Sequence, residues 1–260
     1  MSRGQHWFDA LTQNMQQKAG PVPSVCVADG ELAGRPCRVI LVRPDAANPF
    51  PRARSGEVGL LEGWALAKVV QEATGDQRTL LAIVDVPSQA YGRREEALGI
   101  HQALAAAAGA YAKARQAGHP VLALLVGKAM SGAFLAHGYQ ANAILALDDA
   151  GVMVHAMGKA AAARVTQRSE EDLDRLAASI PPMAYDLKNY ASLGLLSGRI
   201  EVSSAEAPTG SDLEKVNAAL AAAQQQALGS TSLAHRLDRE NRRASKKVRQ
   251  LLRQQWALES

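Results

Sequence analysis

The chain has 260 residues, of which 47% are hydrophobic and 21% charged, and its net charge at pH 7 is +4. This composition is ordinary for a soluble globular protein with a full core, in one large or two small domains. No apolar run approaches the roughly 18 residues of a transmembrane helix, and the N-terminus lacks the apolar core of a signal peptide. We therefore expect a cytoplasmic protein without a membrane partner.

The first half of the chain alternates between predicted strands and helices. In chain order these are a helix over 5–18, strands over 24–28 and 37–43, a helix over 57–73, a strand over 79–86 and a helix over 94–116. Ser55 is the expected cap of the second helix, and a proline-rich loop precedes it.

The second half continues this alternation. Strands are predicted over 142–147 and 152–155, and Gly158 opens a helix of small residues. Two further helices over 170–178 and 212–227 are expected to start at the capping pairs Ser169–Asp172 and Ser211–Glu214. Because the predicted strands are continuous apolar runs, the fold class is α/β with a largely parallel sheet.

Residues 120–139 contain the clearest candidate site. A Leu- and Val-rich strand is expected to break at Gly127, pass through a turn of small residues, and resume as a helix near Phe134. Such a junction directs backbone N–H groups into one space, which suits a carboxylate, a phosphate or a developing oxyanion. The alternative is that small residues only allow a helix to pack closely on a strand.

Two side-chain motifs are excluded in this segment. The phosphate-binding loop G-x-x-x-x-G-K-[ST] fails because Ala129 follows Lys128 and no Gly lies five positions before Gly127. The serine-hydrolase motif G-x-S-x-G fails because Ser131 is flanked by Ala129 and Ala133. Backbone amides are therefore the better candidates than a side-chain nucleophile.

Metal binding is not expected. The two cysteines, Cys26 and Cys37, lie in neighbouring strand-like runs and fit no metal-site spacing, so we interpret them as small buried hydrophobic residues. The six histidines include no pair with the i, i+4 spacing of a helical zinc site.

Positive charge is concentrated near the C-terminus. Residues 235–253 carry eight Lys or Arg side chains against two acidic ones, and residues 231–256 are predicted to form an amphipathic helix. The predicted apolar side of this helix consists of Leu233, Leu237, Val248, Leu251 and Leu252. Without interleaved aromatic residues or a known reader motif, nucleic acid is not the expected partner. A solvated face and the docking of an acidic protein both remain open.

Three segments together resemble a known family. They are VDVPSQAYGRREEALGIHQALAAAAGAYA, GKAMSGAFLAHG and NAILALDDAGVMVHAMGKAAAARV. They resemble the C-terminal half of acyl-CoA carboxylase carboxyltransferases, a branch of the crotonase superfamily. Within that branch the segments MSGAFLAHG, VHAMGKAAAARVT and PPMAYDLKNYASLGLL are most similar to gamma subunits of biotin-independent malonate decarboxylases. The resemblance covers about residues 55–200.

The resemblance implies a fold and a site. The fold is a crotonase-like (ClpP/crotonase) superhelix of ββα units, expected over 1–205, with a C-terminal helical region and basic tail over 206–260. The G-G-A motif of the carboxyltransferases stands here as Ser131-Gly132-Ala133, so the amides of Gly132 and Ala133 are expected to hold a thioester oxygen. Substrate-binding residues are expected at the four positions Gly127, Met130, Ser131 and Gly158.

The resemblance also implies an activity and partners. With a homologous beta subunit, the chain is expected to decarboxylate malonyl-S-acyl carrier protein to acetyl-S-acyl carrier protein and CO2. The phosphoribosyl-dephospho-coenzyme A arm belongs to the carrier, an acyl carrier protein transferase subunit is a further partner, and this chain is expected to bind no cofactor and no biotin. The proton donor to the enolate is not implied; Tyr139, His137 and His155 are near in sequence, and we interpret each as structural.

Two other functions remain open. The first is the C-terminal half of a biotin-dependent acyl-CoA carboxyltransferase, although Ser131 departs from the carboxylase pattern and favours the decarboxylase. The second is a non-catalytic subunit that shapes and binds its partner. The basic tail is also a candidate docking site for an acidic carrier protein.

Overall fold

A single sheet forms the centre of the chain. The computed structural model describes residues 1–258, except for the side chains of Glu240 and Leu258. The strands are β1 (Gln16–Lys18), β2 (Val25–Leu32), β3 (Arg35–Val42), β4 (Thr79–Val86), β5 (Val121–Met130), β6 (Ala143–Leu147), β7 (Met153–His155) and β8 (Gly198–Ile200). Their order in the sheet is β1-β2-β3-β4-β5-β6-β8, and β7 pairs with β5.

The sheet is parallel from β3 onwards. β1, β2 and β3 pair antiparallel, whereas β3–β4, β4–β5, β5–β6, β5–β7 and β6–β8 are parallel pairs. The middle strands β4 and β5 are almost entirely buried, as continuous apolar strands of a parallel sheet should be. The predicted α/β class and all five strands predicted outside residues 120–139 are confirmed.

α-Helices precede, connect and follow the strands. They are α1 (Arg3–Leu11), α2 (Leu60–Gln71), α3 (Arg93–Ala97), α4 (Ile100–Gln116), α5 (Ser131–Ala136), α6 (Lys159–Thr166), α7 (Glu170–Ser179), α8 (Leu187–Ser192), α9 (Gly210–Ala227) and α10 (Arg243–Leu258). α2 and α4 pack closely at Gly63, where an added Cβ would lie only 2.8 Å from the backbone of Ala103. The small residues of these helices therefore permit the close packing.

Long-range pairing overrides the predicted N-terminal helix. The helix does not continue to residue 18 but ends at Leu11, and Gln16–Lys18 instead pair with residues 27–29 of β2. The prediction for residues 94–116 is wrong at its start, because Gly99 adopts a left-handed φ of 80° and separates α3 from α4. Leu98, expected on the apolar stripe, is 54% exposed at this break.

Two helix caps differ from the prediction. Gly59, not Ser55, precedes α2, and its N–H donates to the carboxylate of Glu62 at 3.0 Å. The Ser169–Asp172 pair at α7 is confirmed. At α9 the capping pair is Thr209–Asp212 instead of Ser211–Glu214.

The C-terminal segment has two parts. α9 joins the core, since Val216 and Leu220 are fully buried and the side-chain amide of Gln224 donates to the carbonyl of Leu32 at 3.1 Å. The predicted tail helix starts later than expected, at Arg243, after two short 3-10 turns. The domain division at residue 205 stays a prediction.

Candidate active site at the end of β5

The strand of the candidate site is longer than predicted. β5 passes straight through Gly127 and Lys128 to Met130, and α5 begins at Ser131 without an intervening turn. The reason is pairing on both sides: Ala129 lies opposite Val86 of β4 and also opposite Val154 of β7. The predicted break at Gly127 is therefore wrong, while the change from strand to helix itself is present.

Ser131 makes the reversal between strand and helix. Its φ is 58°, in the left-handed region, which costs a residue with a side chain about 1 kcal/mol. A glycine would adopt this conformation without that cost. This change of backbone direction at Ser131 places the next two residues, Gly132 and Ala133, in the first turn of α5, where N–H groups have no partner inside the helix.

The N–H of Gly132 already donates to an oxygen. It lies 3.1 Å from the side-chain carbonyl oxygen Oε1 of Gln89. The backbone of Gln89 is fixed by its bridge to Val58, and the adjacent Ala90 N–H donates to the Val58 carbonyl at 2.8 Å. A carboxamide oxygen thus occupies the position next to Gly132 where a thioester oxygen would be expected.

An apolar cavity opens beside this junction. Its volume is about 380 Å³, and its wall includes Ser131, Gly132, Tyr139, His155 and Tyr190. A cavity of this size is within the range of small-molecule sites. Its wall is mostly apolar, and fixed N–H donors interact more strongly with a developing negative charge where few other polar groups or waters compete for it.

The remaining predicted site residues lie at different depths. Met130 is buried at the end of β5, next to Ser131. Gly127 is buried within β5, and a Cβ there would lie 2.1 Å from Oδ1 of Asp85. Gly158 is exposed and precedes α6. Only Ser131 and Gly132 of the six predicted residues are among those that line the described cavity, and the roles of all six stay predictions.

Sequence reasoning missed Gln89 and gave His155 a structural role. Gln89 follows β4 and His155 ends β7, and both strands are parallel neighbours of β5. Since the carboxyl ends of adjacent parallel strands meet at one edge of a sheet, residues there are expected to gather around one site. That rule would have drawn attention to both residues once the strand order was known.

His137 is a core histidine. It is fully buried; its Nε2–H donates to the carbonyl of Ile83 at 2.9 Å, and its Nδ1 accepts from the hydroxyl of Tyr111 at 3.1 Å. Burial lowers the pKa of His137 from its usual 6.5 to about 4. The ring is therefore neutral in the folded chain at neutral pH.

This burial predicts an acid-sensitive fold. Below pH 6.5 the unfolded chain binds a proton at His137, whereas the folded chain does not bind it until the pH approaches 4. We therefore expect the free energy of unfolding to fall by about 3 kcal/mol between pH 6.5 and 4. Urea titrations across this range test the effect. His137→Gln should flatten that part of the pH dependence, whereas an unchanged slope in the variant would contradict the assignment.

Residues 1–258 contain neither a metal-ligand cluster nor a membrane-spanning helix. Among these residues, no three His, Cys, Asp or Glu side chains lie close enough to hold a metal ion. No helix in this part of the chain is both long and apolar enough to cross a bilayer. Cys26 and Cys37 are unpaired, and burial raises the pKa of the Cys37 thiol to about 12, which keeps it unreactive.

Comparison with known proteins identifies close relatives. Residues 53–256 match the family model of the malonate decarboxylase gamma subunit. A chain of the Pseudomonas malonate decarboxylase hetero-tetramer in complex with coenzyme A is 60% identical, with a TM-score of 0.94, over 98% of this chain and all of that chain. A chain of the Pseudomonas MdcD–MdcE hetero-dimer is 59% identical over the same shares, with a TM-score of 0.90.

More distant relatives have lower sequence identity to this chain and are matched over a smaller part of their own length. The malonyl-S-ACP:biotin-protein carboxyltransferase MADD of Malonomonas rubra is 33% identical over 189 residues, which are 69% of this chain but only 65% of that protein. Transcarboxylase 12S shares the fold, with a TM-score of 0.61 at 19% identity, over 82% of this chain and 37% of that chain. The predicted crotonase-like carboxyltransferase fold is thereby confirmed. The chain belongs to the family of malonate decarboxylase gamma subunits.

Proposed function

We propose that this chain, with a beta subunit, decarboxylates malonyl-S-acyl carrier protein to acetyl-S-acyl carrier protein and CO2. One observation carries the proposal: the Gly132 N–H donates to a carbonyl-type oxygen, that of Gln89, at the wall of an apolar cavity. A thioester oxygen has the same acceptor chemistry as the Gln89 oxygen. The membership of the chain in the malonate decarboxylase family supports this choice of substrate.

The amides of Gly132 and Ala133 stabilise charge rather than remove a proton. When the bond between the α-carbon and the carboxylate breaks, CO2 leaves and its electron pair moves into an enolate. The negative charge develops on the thioester oxygen, which the two N–H groups hold in a poorly solvated space. Because Gln89 Oε1 uses the same N–H, substrate binding displaces the Gln89 carboxamide from Gly132.

The site is completed by partners. The Pseudomonas relatives form an MdcD–MdcE hetero-dimer and a hetero-tetramer, and a hetero-dimer with a beta subunit is the assembly we propose for this chain. The malonyl group is carried by the phosphoribosyl-dephospho-coenzyme A arm of an acyl carrier protein, which a transferase subunit loads. Gly127, Met130, Ser131 and Gly158 complete the substrate-binding set in this proposal, and the complex works in the cytoplasm.

A biotin-dependent carboxyltransferase is the alternative that one comparison favours, because MADD carries biotin in its name. The two functions differ in where the carboxyl group goes. The purified complex of this chain and its beta subunit should release CO2 from malonyl-carrier at an unchanged rate when avidin is added. Avidin inhibition, together with carboxyl transfer to a biotinylated protein, would establish the alternative instead.

Helix α10 is the proposed docking surface for the acidic carrier. Lys247, Arg249 and Arg253 are exposed on it, beside an equally exposed apolar stripe that includes Leu252 and Trp256. Reversing the three charges to Glu should raise KM for malonyl-carrier about tenfold at low salt, and the difference should shrink as salt screens it. The rate with a carrier-free malonyl thioester should not change.

A control reverses two exposed basic residues outside α10, Arg35 and Lys113. This variant should keep the KM for malonyl-carrier of the unmodified complex. If the α10 variant binds the carrier as tightly as the unmodified complex at every salt concentration, α10 is not the docking surface.

A further inference from the structure

The proposed reaction needs one proton for every CO2 released. Malonyl thioester carries a carboxylate, and after CO2 leaves, the enolate carbon must gain a proton to become the methyl group of the acetyl product. We propose that His155 delivers this proton from Nε2 to the enolate carbon. This inference rests on the proposed function and names the acid that completes it.

The sheet places His155 beside the oxyanion donors. β7 pairs with the end of β5 so that His155 lies opposite Met130, the residue before Ser131. His155 and Gly132 line the same cavity of about 380 Å³. An acyl group whose oxygen is held at Gly132 therefore has the imidazole within the same small space.

The ring of His155 is held in a fixed orientation. It stacks on the ring of Tyr185, with the centroids 3.9 Å apart and the planes 16° from parallel. The hydroxyl of Tyr185 donates to the carbonyl of Met157 at 2.8 Å, which ties Tyr185 to the loop that follows β7. A fixed ring is what a proton donor needs, because proton transfer depends on hydrogen-bond geometry.

The backbone of Met157 fits both protonation states of the ring. Nδ1 of His155 lies 3.1 Å from the Met157 nitrogen and 2.9 Å from the Met157 oxygen. When Nδ1 carries no proton it accepts the Met157 N–H, and when it carries one it donates to the Met157 carbonyl. The ring can therefore gain and lose a proton without moving, and the described hydrogen bonds of the ring leave Nε2 to the substrate.

The negative charge of the substrate favours protonation of His155. Burial lowers the pKa of His155 from its ordinary value, which favours the neutral ring in the empty site. A malonyl carboxylate in the cavity favours the imidazolium, which takes its proton from solvent. On the far side of this stack, Lys159 Nζ lies 5.9 Å from the centroid of the Tyr185 ring, and its charge is paired with Asp174 at 2.6 Å.

The step balances in atoms and electrons. The carbon–carbon bond breaks, CO2 leaves without its electron pair, and the enolate uses that pair to form a bond to the Nε2 proton. His155 returns to the neutral ring, and the net reaction consumes the one proton that decarboxylation requires. Tyr190 also lines the cavity, but burial raises its pKa, and its hydroxyl is enclosed by protein rather than open to the cavity.

Hydrogen exchange of the product tests this inference. By microscopic reversibility, the acid that protonates the enolate is also the base that removes a methyl proton from acetyl-carrier. In D2O the purified complex of this chain and its beta subunit should incorporate deuterium into the methyl group of acetyl-carrier, as read by mass spectrometry. His155→Gln should slow this exchange at least about a hundredfold with little change in KM.

Two further variants keep the test independent of folding. His155→Gly with added imidazole should regain exchange, which a purely structural histidine would not show. Tyr185→Phe keeps the stacked ring and should retain most of the exchange. If the unmodified complex releases CO2, normal exchange by the assembled His155→Gln complex would overturn the role of His155 and leave the proposed decarboxylase standing. Failure of the unmodified complex to release CO2 would overturn both.

Discussion

Gly132→Pro should lower the rate of CO2 release by the complex about a hundred- to a thousandfold, because it deletes one backbone N–H that holds the enolate oxygen. Proline is tolerated in the first turn of a helix, where the lost N–H has no partner inside the helix. The effect should therefore appear in kcat. Co-purification with the beta subunit and the melting temperature report whether the complex still assembles.

The controls for this variant follow from its surroundings. A Cβ at Gly132 would lie 2.2 Å from Oε1 of Gln89, so any residue larger than glycine meets that side chain. The comparison is best made in a Gln89→Ala background, where Gly132→Ala adds the Cβ but keeps the N–H. Gly132→Ala should lose much less activity than Gly132→Pro. Full activity of the proline variant in an intact complex would favour a non-catalytic, partner-binding subunit.

Gly127→Ala should destabilise the chain by about 3 kcal/mol, because the added methyl group overlaps a fixed carboxylate. Its Cβ would lie 2.1 Å from Oδ1 of Asp85 and 2.6 Å from the Cγ of the same residue. Asp85 cannot easily withdraw, since it accepts the N–H of Gly4 at 3.0 Å and that of Lys128 at 3.2 Å. Urea denaturation of the full chain measures the loss.

A glycine with open space around it serves as a control for the overlap. Gly109 lies in α4 with no atom within 4 Å of its would-be Cβ, so Gly109→Ala should be neutral or stabilising by up to about 1 kcal/mol. Asp85→Ala combined with Gly127→Ala should cost less than the sum of the single changes. An unchanged free energy of unfolding in Gly127→Ala would contradict the overlap with Asp85, whereas a raised KM for malonyl-carrier would support the proposed substrate-binding role of Gly127.

The strands were predictable because each is a continuous run of mostly apolar residues. Thr79–Val86 and Ala143–Leu147 are short apolar runs bounded by polar or turn residues, and this pattern is typical of buried strands in a parallel sheet. Helix ends were less predictable because several residues in a row are suitable caps. At α9 both Thr209 and Ser211 precede an acidic residue by three positions, and only the structure distinguishes them.

Only the part of the candidate site that is contiguous in sequence was predictable. Ser131-Gly132-Ala133 is contiguous in sequence, so the family motif could be read directly. Gln89 and His155 reach the same place through β4 and β7, and nothing local in sequence fixes which strands are neighbours of β5. The extension of β5 past Gly127 likewise depends on pairing with β7, which opposes the local tendency of glycine to end a strand.

The central claim is that this chain contributes one part of a shared decarboxylase site. The most direct measurement is CO2 release from malonyl-S-carrier, without biotin, by this chain co-expressed with its beta subunit and by each chain alone. We expect release from the pair and none from either chain by itself. Equal release by the beta subunit alone would contradict the account, because this chain would then not contribute to the reaction.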